Sequence, residues 1–243
     1  MSLRITRAGG GHELADGMTW HVIYLADVAP RPWKNGGGTT RELVAWPDAA
    51  HWVWRMSVAE VAQSGPFSRF DGVQRWFAVL GGAGVVLTHN EQWRILTVDS
   101  TPFCFDGGGL TDCELVDGPT QDLNLMTRVA GDGLGAGLAD EARASATMAR
   151  VRGSATINVG VSQDTIKIVA VYVGSTRARA RFNGENTAIE PHSLVWRTGV
   201  AHDNIQIEAE DALLIEITMA IKPVSRISTG RPMPTAAYSG SAS

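Results

Sequence analysis

The sequence predicts an all-β fold, and three observations support this prediction. Short runs rich in Val, Ile, Trp and Thr are separated by Gly, Pro, Asn and Asp at intervals of about ten residues. Several runs alternate apolar and polar side chains, which is typical of a strand with one buried face. Helical periodicity is almost absent. We therefore expect a sandwich or a barrel of short strands.

The individual strands follow from these runs in chain order. Eight are predicted in the first half of the chain, at 20–28, 39–46, 53–60, 73–80, 84–88, 93–98, 113–116 and 122–129. After a Gly- and Ala-rich stretch, the pattern resumes at 155–161, 166–173, 177–182, 193–197, 205–208 and 213–219. The chain therefore resembles two β units in tandem.

The composition of the connecting segments predicts the domain boundaries. Residues 139–148 are rich in Ala, Glu and Arg, which favours a short helix or a linker. The end of the chain is rich in Pro, Ser and Gly, which is typical of a poorly ordered terminus. We predict an N-terminal extension (1–19), a first β unit with a ligand pocket (20–130), a linker (131–154), a second β unit (155–221) and a flexible tail (222–243).

Charge and hydrophobicity exclude two classes of partner. The formal net charge is -4, and Lys and Arg occur singly, so no basic stripe is available for nucleic acid. The apolar runs are too short to span a membrane as helices, and the N-terminus has no apolar segment typical of a secretory signal. The two cysteines, Cys104 and Cys113, match neither a redox pair nor a zinc motif. We expect reduced thiols and a cytoplasmic protein.

Two common kinds of cofactor site are not indicated by the sequence. The six histidines form no His-x-His pair and no HExxH run, so we expect no bound metal. Residues 131–136 match a variant of the dinucleotide-binding fingerprint, but β-α-β alternation is lacking around them. We interpret this stretch as part of the linker and expect no cofactor.

A Gly-rich run from Pro32 to Glu42, PWKNGGGTTRE, leads into a predicted strand. Three glycines allow the backbone to approach a ligand closely, because no Cβ blocks the way. The same composition is typical of a simple hairpin turn with Trp33 in the core. The residues alone leave both interpretations open.

Polar side chains share a face on two other predicted strands. Arg55 and Ser57 alternate with apolar residues, and a buried guanidinium requires an acidic partner, which could be Glu60 or a ligand. An internal ion pair that fills a barrel is the alternative, and Arg75 could equally be solvated. Asp122 and Asn124 also share a face, where they could contact a ligand or cap turns.

Four segments in this order resemble the HutD/Ves family. These are the Gly-rich run, WRMSVAE (54–60), GPFSRFDG (65–72) and GPTQDLNLM (118–126). The resemblance covers residues 20–126 strongly and the second half weakly. It implies a cupin-type (RmlC-like) double β-barrel, a bicupin, with a metal-free pocket in the first barrel. Members accompany bacterial histidine-utilisation genes and are thought to bind a small formylated or formimino metabolite as governors of the pathway, although some are described with stress or cold.

On this basis we predict a protein that senses a small acidic metabolite. Arg55 and Arg75 are expected to bind its carboxylate, and the other predicted ligand-binding residues are Trp33, Asn35, Thr39, Ser57, Glu60, Phe67, Asp122 and Asn124. A homodimer is a possible assembly. The alternative is a cupin-type isomerase or hydrolase with Glu60 or Asp122 as general base, and a third class is an interaction scaffold that uses the second barrel.

Overall fold

The computed structural model describes residues 6–7, 20–129, 143–160, 165–182, 185–199 and 203–220. Within these ranges the chain forms strands and one 3-10 turn, Leu25–Asp27, and contains no α-helix. The strands of the first half are β1 (Thr6–Arg7), β2 (His21–Tyr24), β3 (Arg31–Pro32), β4 (Gly38–Trp46), β5 (Trp54–Val61), β6 (Gly65–Pro66), β7 (Val73–Gly81), β8 (Val85–His89), β9 (Gln92–Leu96), β10 (Phe103–Asp106), β11 (Thr111–Leu115) and β12 (Thr120–Arg128). Those of the second half are β13 (Ala144–Val159), β14 (Thr165–Val173), β15 (Ala178–Phe182), β16 (Glu185–Ile189), β17 (Ser193–Thr198) and β18 (Asp203–Ala220).

These strands form three sheets. The pocket sheet has the order β10-β7-β12-β5-β4-β3, and the cover sheet has the order β6-β11-β8-β9. The C-terminal sheet has the order β1-β2-β17-β14-β18-β15-β16, and β13 also pairs with β18. Only the β1–β2 pairing is parallel among the described strands. Antiparallel strands joined by short turns account for the regular spacing of turn-forming residues in the sequence.

The pocket sheet is buried on both faces, since its side chains alternate between two neighbouring sheets. On one face, Trp54, Met56 and Leu125 pack against the C-terminal sheet in a continuous apolar core. On the other face, Phe77 and Val79 pack against the cover sheet. The space between the pocket sheet and the cover sheet contains the candidate site.

The C-terminal sheet curls around an apolar core of its own. Val169, Val171 and Val173 of β14 face this core together with Ile205 and Ile207 of β18. All five are almost completely buried. Branched aliphatic side chains suit such a filled interior, because they pack well on a pleated surface.

Two arginines of β13 connect the C-terminal sheet to the first half of the chain. Arg150 donates to both carboxylate oxygens of Asp211, at 2.9 and 2.6 Å, and to the backbone carbonyl of Val79 in β7, at 2.6 Å. Arg152 donates to the carbonyl of Val98 at 2.9 Å and pairs with Asp99 at 2.8 Å. The position of β7 is therefore tied directly to β13.

The structure differs from one local prediction, and the domain division stays a prediction. The sequence favoured a short helix or a linker within 139–148, but residues 144–148 belong to β13. Buried Ala144, Met148 and Val151 have helical spacing, but their backbone pairs with β18 along its whole length. The rest of that segment, the fingerprint-like residues 131–136, the tail after residue 220 and most of the N-terminal extension lie outside the described residues.

Two further observations concern the predicted units. Strand β2, which we predicted in the first unit, pairs with β17 of the C-terminal sheet. Strand β1 lies within the predicted extension and pairs with β2. In the described ranges, no helix is long and apolar enough to cross a membrane.

Candidate functional site

A cavity of about 520 Å³ opens on the inner face of the pocket sheet. Its walls come from strands β4, β5, β7 and β12, from the turn between β3 and β4, and from the segment that follows β6. Eight of the ten predicted site residues line it, namely Trp33, Asn35, Arg55, Ser57, Phe67, Arg75, Asp122 and Asn124. The structure therefore brings together residues that are up to 91 positions apart in the sequence.

The two cavity arginines belong to strands that flank β12. Met126 of β12 lies opposite Arg55 of β5 on one side and opposite Arg75 of β7 on the other. Because neighbouring strands are about 4.8 Å apart, the two arginine Cα atoms are roughly 10 Å apart on the same face. A small ligand can therefore contact both guanidinium groups at once.

Arg75 is held from several sides. Its guanidinium donates to the side-chain carbonyl of Asn124 at 2.9 Å and, less closely, to the backbone carbonyl of Ser68 at 3.4 Å. It also lies over the rings of Phe67 and Phe105, each with a centroid distance of 5.1 Å. Burial lowers the pKa of Arg75 to about 10, although the nearby Asp122 acts in the opposite direction. At neutral pH this group is a desolvated cation, and its Nε has no hydrogen-bond partner.

Arg55 is the second cation of the cavity. Its guanidinium lies 3.6 Å from the carboxylate of Glu42 and over the rings of Trp52 and Phe70, at 5.1 and 5.4 Å. Burial lowers its pKa, and the charge of Glu42 partly offsets this effect. Of the two partners that the sequence left open for Arg55, Glu60 or a ligand, Glu60 is not in contact with it, because Glu42 occupies that place.

Asp122 and Asn124 form a hydrogen-bonded chain with Arg75. Asn124 donates its amide to Oδ1 of Asp122 and accepts from Arg75 through its carbonyl oxygen. Asp122 is completely buried, and its Oδ2 has no partner. Burial raises the pKa of Asp122 to about 8, against the lowering effects of Arg75 and Asn124. Its carboxyl group is therefore mainly protonated at neutral pH.

The Gly-rich run is both a hairpin turn and a wall of the cavity. The amide of Trp33 donates to the carbonyl of Gly38 at 2.9 Å, which closes the turn between β3 and β4. A Cβ on Gly38 would lie 2.2 Å from the carbonyl oxygen of Glu60, so only glycine fits there. The indole of Trp33 donates to the hydroxyl of Thr40 at 2.7 Å and forms one side of the cavity. The run is therefore a hairpin turn that also lines the cavity, and its contact with a ligand stays a prediction.

Two predicted site residues do not line the cavity. Thr39 and Glu60 are paired across β4 and β5 and face away from it, whereas their neighbours Thr40 and Ala59 line it. The sequence analysis also missed Lys34, Phe70 and Met126, which contribute to the wall. The alternation of β12 could have revealed Met126, since it shares the face of Asp122 and Asn124.

The part of the chain that the structure describes contains no cluster of three or more His, Cys, Asp or Glu side chains that could hold a metal ion. The chemistry of the cavity instead comes from three cations, one buried carboxyl group, two amides and hydroxyl groups. Such a set recognises carboxylates and carbonyl groups through charge-assisted and neutral hydrogen bonds.

Comparison with known proteins gives a consistent picture. The family model HutD matches residues 25–215. Protein Ves of Escherichia fergusonii is 35% identical over 98 residues, which cover 40% of this chain and 51% of Ves. A 21.2 kDa Pseudomonas putida protein, described as uncharacterized and in the hutC 3' region, is 36% identical over 109 residues, or 43% of this chain and 56% of that protein. The chain thus spans about half the length of these two relatives.

A solved structure extends the similarity to most of the chain. The structure of HutD from Pseudomonas fluorescens SBW25, whose description includes the words "Formate condition", is 28% identical to this chain in sequence and has a TM-score of 0.65. The match covers 82% of this chain and 98% of that one. Together with the curled sheets, this match confirms the predicted all-β, cupin-type class. The division into a bicupin stays a prediction.

Proposed function

The chain belongs to the HutD family, and we propose that its cavity binds a small carboxylate metabolite of histidine degradation that carries a formyl or formimino group. In this proposal the protein senses the metabolite and governs the pathway instead of catalysing a step. The proposal depends chiefly on one observation, namely that Arg55 and Arg75 face one cavity from two strands of the pocket sheet.

The charges around the cavity favour an anion. Arg55, Arg75 and the exposed Lys34 contribute positive charge. Glu42 offsets part of the charge of Arg55 at 3.6 Å, and Asp122, with its pKa raised to about 8, is mainly neutral near pH 7. The net positive potential therefore attracts a carboxylate and strengthens its hydrogen bonds.

The remaining wall fits the rest of such a ligand. Ser57, Thr40 and Asn35 offer neutral hydrogen-bonding groups suited to a formyl or formimino end, and the rings of Trp33 and Phe67 offer apolar surface. A cavity of about 520 Å³ lies within the usual range for small-molecule sites. One relative supports the link to histidine degradation, because its name places it in the hutC 3' region.

Isothermal titration calorimetry with N-formyl-glutamate tests this function. We expect binding to the wild-type protein and a loss of more than about 1.5 kcal/mol, or about tenfold in affinity, in Arg55→Ala, because a charge-assisted hydrogen bond is removed. The matched control is Arg94→Ala, since Arg94 is exposed, lies outside the cavity and also contacts an aromatic ring, Phe103, at 4.9 Å.

The control should bind like the wild-type protein. Unchanged affinity in Arg55→Ala would remove Arg55 from the site. If the wild-type protein binds neither N-formyl-glutamate nor N-formimino-glutamate, the proposed function is wrong.

A cupin-type enzyme is the second candidate, and the raised pKa of Asp122 favours it. Buried carboxyl groups with shifted pKa values are common at catalytic positions. Glu60 is a poor general base for this cavity because it faces away from it. Mass spectrometry of the formylated probe after incubation with the protein distinguishes the two candidates, since a product that Asp122→Asn fails to form would favour the enzyme. A cytoplasmic location and a homodimer remain predictions from the sequence.

A further inference from the structure

The hydrogen bonds of Asp122 leave it incompletely satisfied. One carboxyl oxygen accepts from the amide of Asn124, and the other has no partner. Asn124 stands between Asp122 and Arg75, so the two charged residues form no direct ion pair. A completely buried carboxylate with one neutral donor is poorly stabilised in its ionised form. The geometry therefore favours a protonated Asp122 in the unliganded cavity.

The charged and titratable groups around Asp122 come from five elements. Arg75 of β7 favours its ionised form, and Arg55 of β5 and Lys34 of the β3–β4 turn lie at the cavity wall. Cys113 of β11 is close, but burial raises the pKa of its thiol to about 12. Glu42 of β4 is paired with Arg55. Among the described residues that line the cavity, Asp122 is the one acid, and its proton decides whether Arg75 has an internal counter-charge.

We propose that Asp122 is an internal competitor for the anion that binds Arg75, so that a cavity in which Asp122 is ionised takes up its carboxylate ligand together with one proton. This proposal rests on the proposed function and adds a regulation of the same site. When Asp122 is ionised, its negative charge offsets the positive charge of the Arg75 guanidinium, to which it is linked by the hydrogen bonds of Asn124. When Asp122 is protonated, Arg75 is free to bind the ligand carboxylate.

The direction of the pH dependence follows from this competition. Because the pKa of Asp122 is raised to about 8, its carboxyl group is mainly uncharged near neutral pH and does not compete there. Above pH 8 it is mainly ionised and competes with the ligand. Affinity for an anion should therefore be constant below pH 7 and fall as the pH rises through 8. Arg75 has a pKa of about 10, so its own deprotonation contributes little below pH 9.5.

Calorimetric titration with N-formyl-glutamate between pH 6 and 9.5 tests the proposal. This probe has no group that titrates in that range. For the wild-type protein we expect at least a tenfold loss of affinity between pH 7 and 9.5. Asp122→Asn has the same shape but cannot ionise, so its affinity should change less than twofold. Asp112→Asn is the matched control, because Asp112 is exposed on the other face of β11, and it should follow the wild-type protein.

Proton uptake gives an independent readout. Titrations at pH 8.5 in two buffers with different ionisation enthalpies should show uptake of more than about half a proton by the wild-type protein and none by Asp122→Asn. If Asp122→Asn does not unfold cooperatively on heating, Asp122→Ala serves as the second variant.

The outcomes separate the two proposals. If the wild-type protein binds the probe but Asp122→Asn and Asp122→Ala keep the same pH dependence, the competition is wrong while the proposed function stands. If the wild-type protein binds no probe at pH 7, the proposed function is overturned, and the competition falls with it.

Discussion

The interiors of the two halves of this molecule differ although both are enclosed by curled antiparallel sheets. The inner face of β5, β7 and β12 carries arginines, an aspartate and an asparagine around a cavity of about 520 Å³. The inner face of β14 carries three valines, and the cavity found beside that core has a volume of only about 60 Å³. Apolar side chains pack closely and fill an interior. Polar side chains whose hydrogen bonds are incomplete instead border a cavity in which a ligand could complete them.

The largest effect is expected when an aspartate is introduced into each interior and the losses of stability are compared. Val173→Asp puts a charge in the filled core, where Val173 is completely buried and lies opposite Ser193 and Ala212. We expect a loss of at least about 4 kcal/mol in the free energy of unfolding, or insoluble protein. Ser57→Asp puts the same group between Arg55 and Arg75 and should cost less than about 2 kcal/mol, because two cations compensate it.

Urea denaturation of both variants provides the measurement. Ser57→Asp should also weaken the binding of N-formyl-glutamate, since its carboxylate occupies the anion site. Equal destabilisation by the two variants would mean that the interiors do not differ in the way described.

A smaller effect is expected from Gly38→Ala, which alters one wall of the cavity and leaves the filled core untouched. The new Cβ would meet the Glu60 carbonyl at 2.2 Å and the Trp33 ring at 3.2 Å, so the β3–β4 hairpin must shift. We expect a loss of about 2 kcal/mol in urea denaturation and weaker ligand binding, because Trp33 moves. Gly65→Ala is the control, since its Cβ would point into open space. A Gly38→Ala protein with normal stability would show that the hairpin tolerates this contact.

The smallest expected effect concerns the stability of the polar interior as a function of pH. Asp122 has a pKa near 8 in the folded protein and an ordinary value of 3.8 otherwise, so the folded state holds more protons between about pH 4 and 8. The contribution of Asp122 to stability is complete below pH 4 and is lost as the pH rises through 8. Asp122→Asn should therefore be more stable than the wild-type protein at pH 8.5, by at least about 1 kcal/mol or a few degrees in Tm, and this advantage should shrink at pH 5.

Thermal unfolding of both proteins at the two pH values is the measurement, with Asp112→Asn as the control. A constant difference between wild type and Asp122→Asn at both pH values would contradict the raised pKa.

The sequence predicted the polar face of the pocket sheet because alternation is a local property. The alternation of residues 54–59 and 122–126 was enough to put Arg55, Ser57, Asp122 and Asn124 on inner faces. It could not predict which glutamate would meet Arg55, because the register that brings β4 beside β5 is a long-range property. The register of β4 also shifts between Glu42 and Val44, so simple alternation along the sequence does not predict which face of the sheet a β4 side chain lies on.

In the second half, a local sequence pattern indicated the wrong secondary structure. The start of β13 has good helix formers and buried residues at helical spacing, yet it forms a strand because the edge of β18 supplies its hydrogen bonds. Tertiary pairing decides such a segment, and a local pattern does not contain that information.

The pairing of β2 with β17 has a consequence for how the protein is made. Strand β2 leaves the ribosome early, but its antiparallel partner is synthesised about 170 residues later, which corresponds to roughly 10 to 30 s of translation. During that time β2, which carries the buried side chain of Ile23, lacks the strand that it pairs with in the finished protein. The pairing of β2 is therefore completed only after β17 has been synthesised, later than the sheets that consist of first-half strands alone.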